Sequence, residues 1–193
     1  MSPPIYFVRH GETDWNAAAR LQGQQDIPLN PVGRVQAEEA GRKLALLVPD
    51  PAALDYVASP LGRTRETMEI LRRTLGLDPA GYRMDGRFVE LTFGSWEGLT
   101  WREVRGREAA LAAARERDKW NFVPPGGESY AMLLHRLLPA ARELSRPTVL
   151  VSHGGVARAL LAGLCGVPVH EAPRVDIWQG RILVFEHGRH CWT

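Results

Sequence analysis

The chain has 193 residues, 45% of them apolar and 24% charged, enough for one domain whose core needs neither a disulfide nor a metal staple. Its formal net charge of +2 argues against a nucleic-acid partner, and no apolar run approaches the roughly 20 residues of a membrane span. Cys165 and Cys191 are too few for a zinc site, and Met1-Ser2-Pro3-Pro4 lacks the basic and apolar regions of a signal peptide, so the cytoplasm is the expected compartment.

The run at 5–8, Ile-Tyr-Phe-Val, reads as a buried strand that emerges at Arg9-His10-Gly11-Glu12-Thr13. Val35, Ala37, Ala40, Leu44 and Leu47 recur at helical spacing until Pro49 and Pro51 stop them. A second strand at 56–59 leads through Pro60 into a helix ending near Leu75 and Gly76. The stretch from 94 to 127 is rich in Ala, Arg and Glu and reads as a helical insertion over the sheet, closed by Pro124-Pro125-Gly126-Gly127, with Glu128-Ser129 opening the next helix. A third strand at 148–152 runs into His153-Gly154-Gly155 and a helix through Leu164. The tail shows β-like runs at 175–178 and 182–185 with Gln179-Gly180 as the expected hairpin turn, and this hairpin offers an edge for pairing in a homodimer. Strand–helix units joined by long connections imply an α/β layered fold with a mainly parallel sheet.

Ligands of open α/β sheets bind beyond the carboxyl ends of the strands. Here those ends carry His10, His153, Arg9 and Arg63, a concentration of nitrogen donors that points to phosphate. A neutral imidazole is a good nucleophile near pH 7 if its other ring nitrogen is held by a hydrogen bond, which backbone beside Gly11 is close enough to supply. Arg9 and Arg63 suit the equatorial oxygens as charged forks, with His153 as a further donor. A cation in the first helical turn opposes the dipole, a cost that an anion at Arg63 offsets. The leaving alkoxide needs an acid, and Glu90, among apolar neighbours such as Leu91, Phe93 and Trp96, is the candidate; Glu12 and Glu97 are rivals that spacing does not separate.

Arg9-His10-Gly11-Glu12-Thr13 resembles the signature of the histidine phosphatase superfamily, in the branch that includes cofactor-dependent phosphoglycerate mutase. Further stretches match in order: Trp15-Asn16, the segment 21–29, Ser59-Pro60-Leu61-Gly62-Arg63-Thr64, the segment 90–98, Pro125-Gly126-Gly127-Glu128-Ser129 and Ser152-His153-Gly154-Gly155. The resemblance spans essentially the whole chain. It implies a three-layer α/β/α sandwich around a six-stranded, mostly parallel sheet, and His10 as nucleophile. It also implies a phosphate pocket of Arg9, Arg63 and His153, Glu90 as proton donor, and Asn16, Gln22, Gly23 and Gly154 as substrate-binding positions. Neither cofactor nor metal is expected, and the partner is a small phosphorylated metabolite.

Mutases of the family are longer in the insertion and the tail, and tend to have Thr-Gly where this chain has Gln22-Gly23. Water access therefore favours hydrolysis over phosphoryl return. Phosphoglycerate mutase is the alternative activity, and a non-catalytic protein binding phosphorylated ligands is the alternative class. The intact set of His10, Glu90 and the three pocket residues speaks against the latter. His135, His170, His187 and His190 earn no role, and the arginines from Arg102 to Arg117 read first as a solvated face. Trp96 and Trp101 fit an entrance or a packed insertion equally well, while the glycines of the stretch 124–127 read as turn chemistry, with Glu128 and Ser129 as candidates to reach the pocket.

Overall fold

Strand β1 (Ile5–Arg9) forms where side chains alternate between two apolar environments, Ile5 and Phe7 toward one face, Tyr6 and Val8 toward the other. The computed structural model describes residues 3–193; Met1 and Ser2, the start of the stretch read above as lacking a signal sequence, lie outside the described residues. After β1 comes a single helical turn, α1 (Asp14–Ala17), where Thr13 and Asn16 form a capping box. Helix α2 (Pro31–Leu47) begins with Pro31 behind an Asn30 cap. Then follow β2 (Asp55–Ala58), α3 (Gly62–Thr74) and a two-residue β3 (Arg83–Met84). Two short helices, α4 (Trp101–Arg107) and α5 (Ala109–Arg117), precede α6 (Tyr130–Arg142), β4 (Thr148–Ser152) and α7 (Gly154–Cys165). The chain closes with β5 (Ile182–Glu186) and β6 (Arg189–Trp192).

The six strands form one sheet in the order β3-β2-β4-β1-β5-β6. The first four in that order run parallel and β5 runs against both neighbours. Every residue of β4 is buried, as a central parallel strand covered on both faces must be. Helices α6 and α7 cover the face carrying Phe7, Val57, Leu150 and Leu183, and α2 and α3 the face carrying Val8, Tyr56, Val151 and Val184. The fold is the expected three-layer α/β/α sandwich. Among the described residues no helix is long and apolar enough to cross a membrane.

The segment 94–127 is only partly helical. Its ends are a short 3-10 turn at Gly94–Trp96 and irregular loops, while Leu21, Trp96, Val104 and Ala112 make a small third core under α4 and α5. Trp96 is fully buried there, stacked on Phe122 with ring centroids 5.6 Å apart.

The tail departs from expectation. Residues 175–178 are not a strand, because their carbonyls serve side chains instead of a ladder: Val175 O accepts from Arg158 Nε at 2.8 Å and Ile177 O from Arg9 Nη1 at 2.8 Å. The hairpin is instead β5–β6, turning at His187-Gly188 with φ of 50° and 72°, the left-handed pair that a two-residue turn demands. The edge strand at this end of the sheet is thus β6, with β3 at the other, while β5, expected as part of the pairing edge, is interior.

Candidate active site

Because β1, β2 and β4 run parallel, their carboxyl ends open on one side of the sheet. There His10 follows β1, Ser59 follows β2 and His153 follows β4, stitched by His10 N donating to Ser152 O at 2.9 Å and Ser59 N to Val151 O at 3.0 Å. The turn after His10 packs directly on the start of α2, where a Cβ on Gly11 would collide with the Gly33 backbone. Gly11 N donates to Thr67 Oγ1 at 3.0 Å, fixing the turn against α3.

His10 Nδ1 lies 2.7 Å from Gly11 O. A carbonyl only accepts, so Nδ1 carries the proton and, in the neutral ring, Nε2 keeps its lone pair. Burial, then the charges of Arg63 and Arg9, holds this imidazole well below its ordinary pKa of 6.5, against the Gly11 hydrogen bond that works the other way. The geometry is the one that the sequence led us to expect beside Gly11.

Arg63 is fully buried on the first turn of α3 and donates to Gly23 O at 2.7 Å and to Gln25 O. Asp26 Oδ1 caps that helix by accepting from Gly62 N at 2.8 Å, so part of the dipole cost of Arg63 is met by the protein itself. Arg63 Nη2 also lies 3.3 Å from His153 Nδ1. Guanidinium nitrogens only donate, hence Nδ1 accepts and Nε2 donates to Ser59 Oγ at 2.8 Å. His153 stands behind Arg63 with both nitrogens engaged, edge-on to His10 at 5.3 Å between ring centroids. Burial first, and then Arg63 and His10, keeps its pKa well below 6.5. Burial lowers both Arg9 and Arg63 to about 10, with the charge of Arg158 adding to the effect on Arg9. Both stay cationic at neutral pH, and the Nε of each is buried without a hydrogen-bond partner among the described residues, an arrangement suited to an oxyanion.

The three carboxylates now separate. Glu12 accepts from Asn30 Nδ2 at 2.9 Å, tying the β1 turn to the cap of α2. Glu97 accepts from Gln24 N, Phe93 N, Thr92 Oγ1 and Gln25 Nε2, joining two loops. Of the three, Glu90 alone lines the cleft. It is held by two backbone donors, Leu91 N and Gly155 N, each at 3.0 Å, rather than resting among apolar groups alone. Glu128 and Ser129 do not reach the cleft: Ser129 caps α6, and Glu128 pairs with Arg136 at 2.9 Å. Arg136 in turn donates to the carbonyls of Arg87, Val89 and Glu90, bracing the loop that presents Glu90.

The cleft encloses about 140 Å³ and is lined by Arg9, His10, Asn16, Gln22, Gly23, Arg63, Glu90, Gly154 and Gly155. Asn16 Oδ1 is taken by Thr13 N and Gln179 Nε2, which leaves its amide nitrogen for a ligand. Gln22 Nε2 donates to Thr13 Oγ1 at 2.7 Å. Arg20, Leu21, Leu91, Phe93, Tyr130 and Arg158 also line the cleft and went unrecognised in the sequence. Arg158 had one legible signal, its position four residues after Gly154 on the same helix face. Trp96 and Trp101 are not lining residues; Trp101 lies under the Arg115 guanidinium at 4.1 Å. Among the described residues no three His, Cys, Asp or Glu side chains gather as a metal-binding group.

A buried imidazole with one free nitrogen, facing a cleft walled by guanidinium groups at the carboxyl edge of a parallel sheet, defines a phosphate-handling α/β site. The chain belongs to the histidine phosphatase superfamily (branch 1), whose family model matches residues 5–193. A glucosyl-3-phosphoglycerate phosphatase of Mycolicibacterium vanbaalenii is 38% identical over 183 residues, covering 88% of this chain and 77% of that protein. A probable phosphoglycerate mutase of Erwinia tasmaniensis is 33% identical over 194 residues, covering 97% and 86%. The solved structure of a mycobacterial glucosyl-3-phosphoglycerate phosphatase in complex with VO3 is similar over 100% of this chain and 96% of that one, with a TM-score of 0.83 and 32% identity.

Proposed function

We propose that the protein hydrolyses phosphomonoesters of small metabolites through a phosphohistidine on His10. The observation that carries this is the His10 ring itself, neutral, with Nδ1–H anchored on Gly11 O and Nε2 free beside two buried arginines. In the first step Nε2 attacks phosphorus and the P–O bond to the alcohol breaks, while protonated Glu90 gives its proton to the leaving oxygen. In the second, water attacks phosphorus, Glu90 takes the water proton, and the P–N bond breaks to release phosphate. Arg9 and Arg63 hold the equatorial oxygens, and the amide groups of Asn16 and Gln22 orient phosphate or water. His153 positions Arg63 by accepting from its Nη2 at Nδ1 while Nε2–H is held on Ser59 Oγ. Gly23 contributes its carbonyl to Arg63, and Gly154 leaves room over the arginines. The free thiols Cys165 and Cys191 suit the cytoplasmic setting we assign to this activity.

Turnover of an aryl phosphate in the presence of a chelator, abolished in His10→Ala, is the expected result, and acid quenching should trap an acid-labile, base-stable phosphoprotein. Activity that vanishes with chelator and returns with metal would overturn the mechanism. The mutase relatives supply the rival acceptor: transfer between phosphoglycerates outpacing phosphate release would reverse the assignment of water as acceptor.

A further inference from the structure

Gln179-Gly180 is not the turn of the tail hairpin, and the half-buried side chain of Gln179 reaches the nucleophile instead. Its Nε2 donates to His10 O at 3.1 Å and to Asn16 Oδ1 at 3.3 Å. A backbone carbonyl only accepts, so the end of Gln179 facing His10 is its nitrogen, and the Asn16 atom that meets this nitrogen is an oxygen. The backbone of α1 agrees, since Thr13 N also donates to Asn16 Oδ1, at 3.1 Å. Donors from two separate parts of the chain thus turn Asn16 so that Nδ2, which meets no acceptor among the described residues, is the end left for the cleft that Asn16 lines. Gln179 is itself pinned on both sides. Its backbone pairs with Arg9 in an isolated parallel bridge, and Gly180 turns away at φ of 69° with its carbonyl accepting from Lys43 Nζ at 2.7 Å.

Resting on the phosphatase reading, we infer that Gln179 is a positioning residue for phosphoryl transfer: it acts through Asn16, keeping the Asn16 amide nitrogen aimed at a phosphoryl oxygen. The His10 carbonyl is the reference that sets the whole relay, because it fixes which end of Gln179 faces the nucleophile and so which end of Asn16 faces the ligand. The orientation matters more than one lost contact. An Asn16 amide turned the other way would present its oxygen to a phosphoryl oxygen, replacing a donor by a second acceptor. An amide also suits this place because it orients Asn16 without adding charge. A carboxylate here would draw Asn16 Nδ2 toward itself and weaken the field of the buried arginines.

The test is a double-mutant cycle of Gln179→Met with Asn16→Ala, with Gln179→Glu as a third variant, on p-nitrophenyl phosphate and glycerol 3-phosphate. Gln179→Met should lower kcat/KM by about 10-fold, the size of one hydrogen bond to a charged group, and equally on both esters, because Asn16 meets the phosphoryl group and not the leaving group. Gln179→Glu should lower it further, although glutamate is closer in shape to glutamine than methionine is. In an Asn16→Ala background Gln179→Met should cost less than about twofold more, since the residue through which it acts is gone. A full loss in that background, or no loss in the wild-type background, would overturn the inference and leave the phosphatase reading intact. The Tm of each variant with and without orthophosphate separates binding from folding. A smaller orthophosphate-induced rise in Gln179→Met is expected; a lower ligand-free Tm with an undiminished rise would make Gln179 structural only and overturn the inference. If wild type hydrolyses neither ester, the phosphatase reading falls, and the same cycle read by the orthophosphate-induced rise upholds or overturns the role of Gln179 on its own.

Discussion

Gly155→Ala displaces the proposed acid without altering its chemical identity. Gly155 stands in the first turn of α7, with its N–H on Glu90 Oε2 at 3.0 Å. A Cβ there would collide with Glu90 Oε1 and Leu91 Cδ2 and come within 3.1 Å of Glu90 Cδ. Alanine favours the helix by about 1 kcal/mol, and overpacking costs about 1–3 kcal/mol. The net loss of stability is thus at most about 2 kcal/mol, a shift of roughly 4–8 °C for a chain of this size. The effect on chemistry is larger. A misplacement of about 1 Å costs on the order of 100-fold, within the general-acid contribution of about 10² to 10⁴. That loss falls only on substrates whose leaving group needs a proton. The assay is kcat/KM for a series from alkyl phosphates to p-nitrophenyl phosphate; this parameter ends at the first irreversible step and so excludes the later hydrolysis of the phosphohistidine. A steeper dependence on leaving-group pKa is expected in Gly155→Ala, matching Glu90→Gln. If alkyl and aryl substrates slow equally, Glu90 is not the leaving-group acid and Gly155 only shapes the pocket.

Histidine titration gives a second expectation. His10 and His153 both have folded pKa values well below 6.5, so below that pH the unfolded chain binds protons that the folded chain refuses. Stability is highest above pH 6.5 and falls as pH drops through it, by up to about 1.4 kcal/mol per pH unit for each ring. Urea unfolding between pH 8 and 5.5 should show this slope, reduced by half in His153→Asn; a flat profile would contradict the buried neutral rings. Glu97→Ala removes an acceptor for four donors in the loops at 22–25 and 92–93. It should cost about 2 kcal/mol, a fall in Tm of roughly 4–8 °C, and an unchanged Tm would show those loops to be held by other contacts.

What the sequence disclosed and what it hid follow from the range of the interactions. Strands β1, β2 and β4 were legible because each is an apolar run ending in a polar residue beside glycine or proline, and the residues at their ends then fell together by topology alone. Spacing did not separate Glu12, Glu90 and Glu97, and only the family resemblance singled out Glu90, because their partners lie far along the chain: Asn30 for Glu12, Gly155 for Glu90, Gln24 and Gln25 for Glu97. Val175 to Trp178 imitated a strand by apolar composition, yet their backbone is spent on Arg9 and Arg158, and no periodicity reveals where a carbonyl points. The true turn at His187-Gly188 did carry a glycine signal, but Gln179-Gly180 carried the same one. Strand β3, two residues long, is too short for any pattern.

The partners of the arginines bear on why this cleft suits an anion. Away from it, several guanidinium groups meet carboxylates: Arg136 pairs with Glu128 at 2.9 Å, and Arg87 with Asp85 at 2.7 Å and Glu143 at 2.6 Å. Of the four arginines that line it, Arg20 meets Glu103 at 3.6 Å, but Arg9 is held by Ile177 O, Arg63 by Gly23 O and Gln25 O, and Arg158 by Val175 O. A carboxylate would orient the fork but cancel its charge; a backbone carbonyl orients it and leaves the charge uncancelled. The cost is visible in Arg9 and Arg63, both lowered to about 10 by burial. That cost is already met on folding, so a phosphoryl group with developing negative charge finds donors that need little reorganisation. The same logic accounts for the irregular backbone at 175–178: a regular strand there would bind its carbonyls to a neighbouring strand and leave Arg9 and Arg158 to swing or to seek acids.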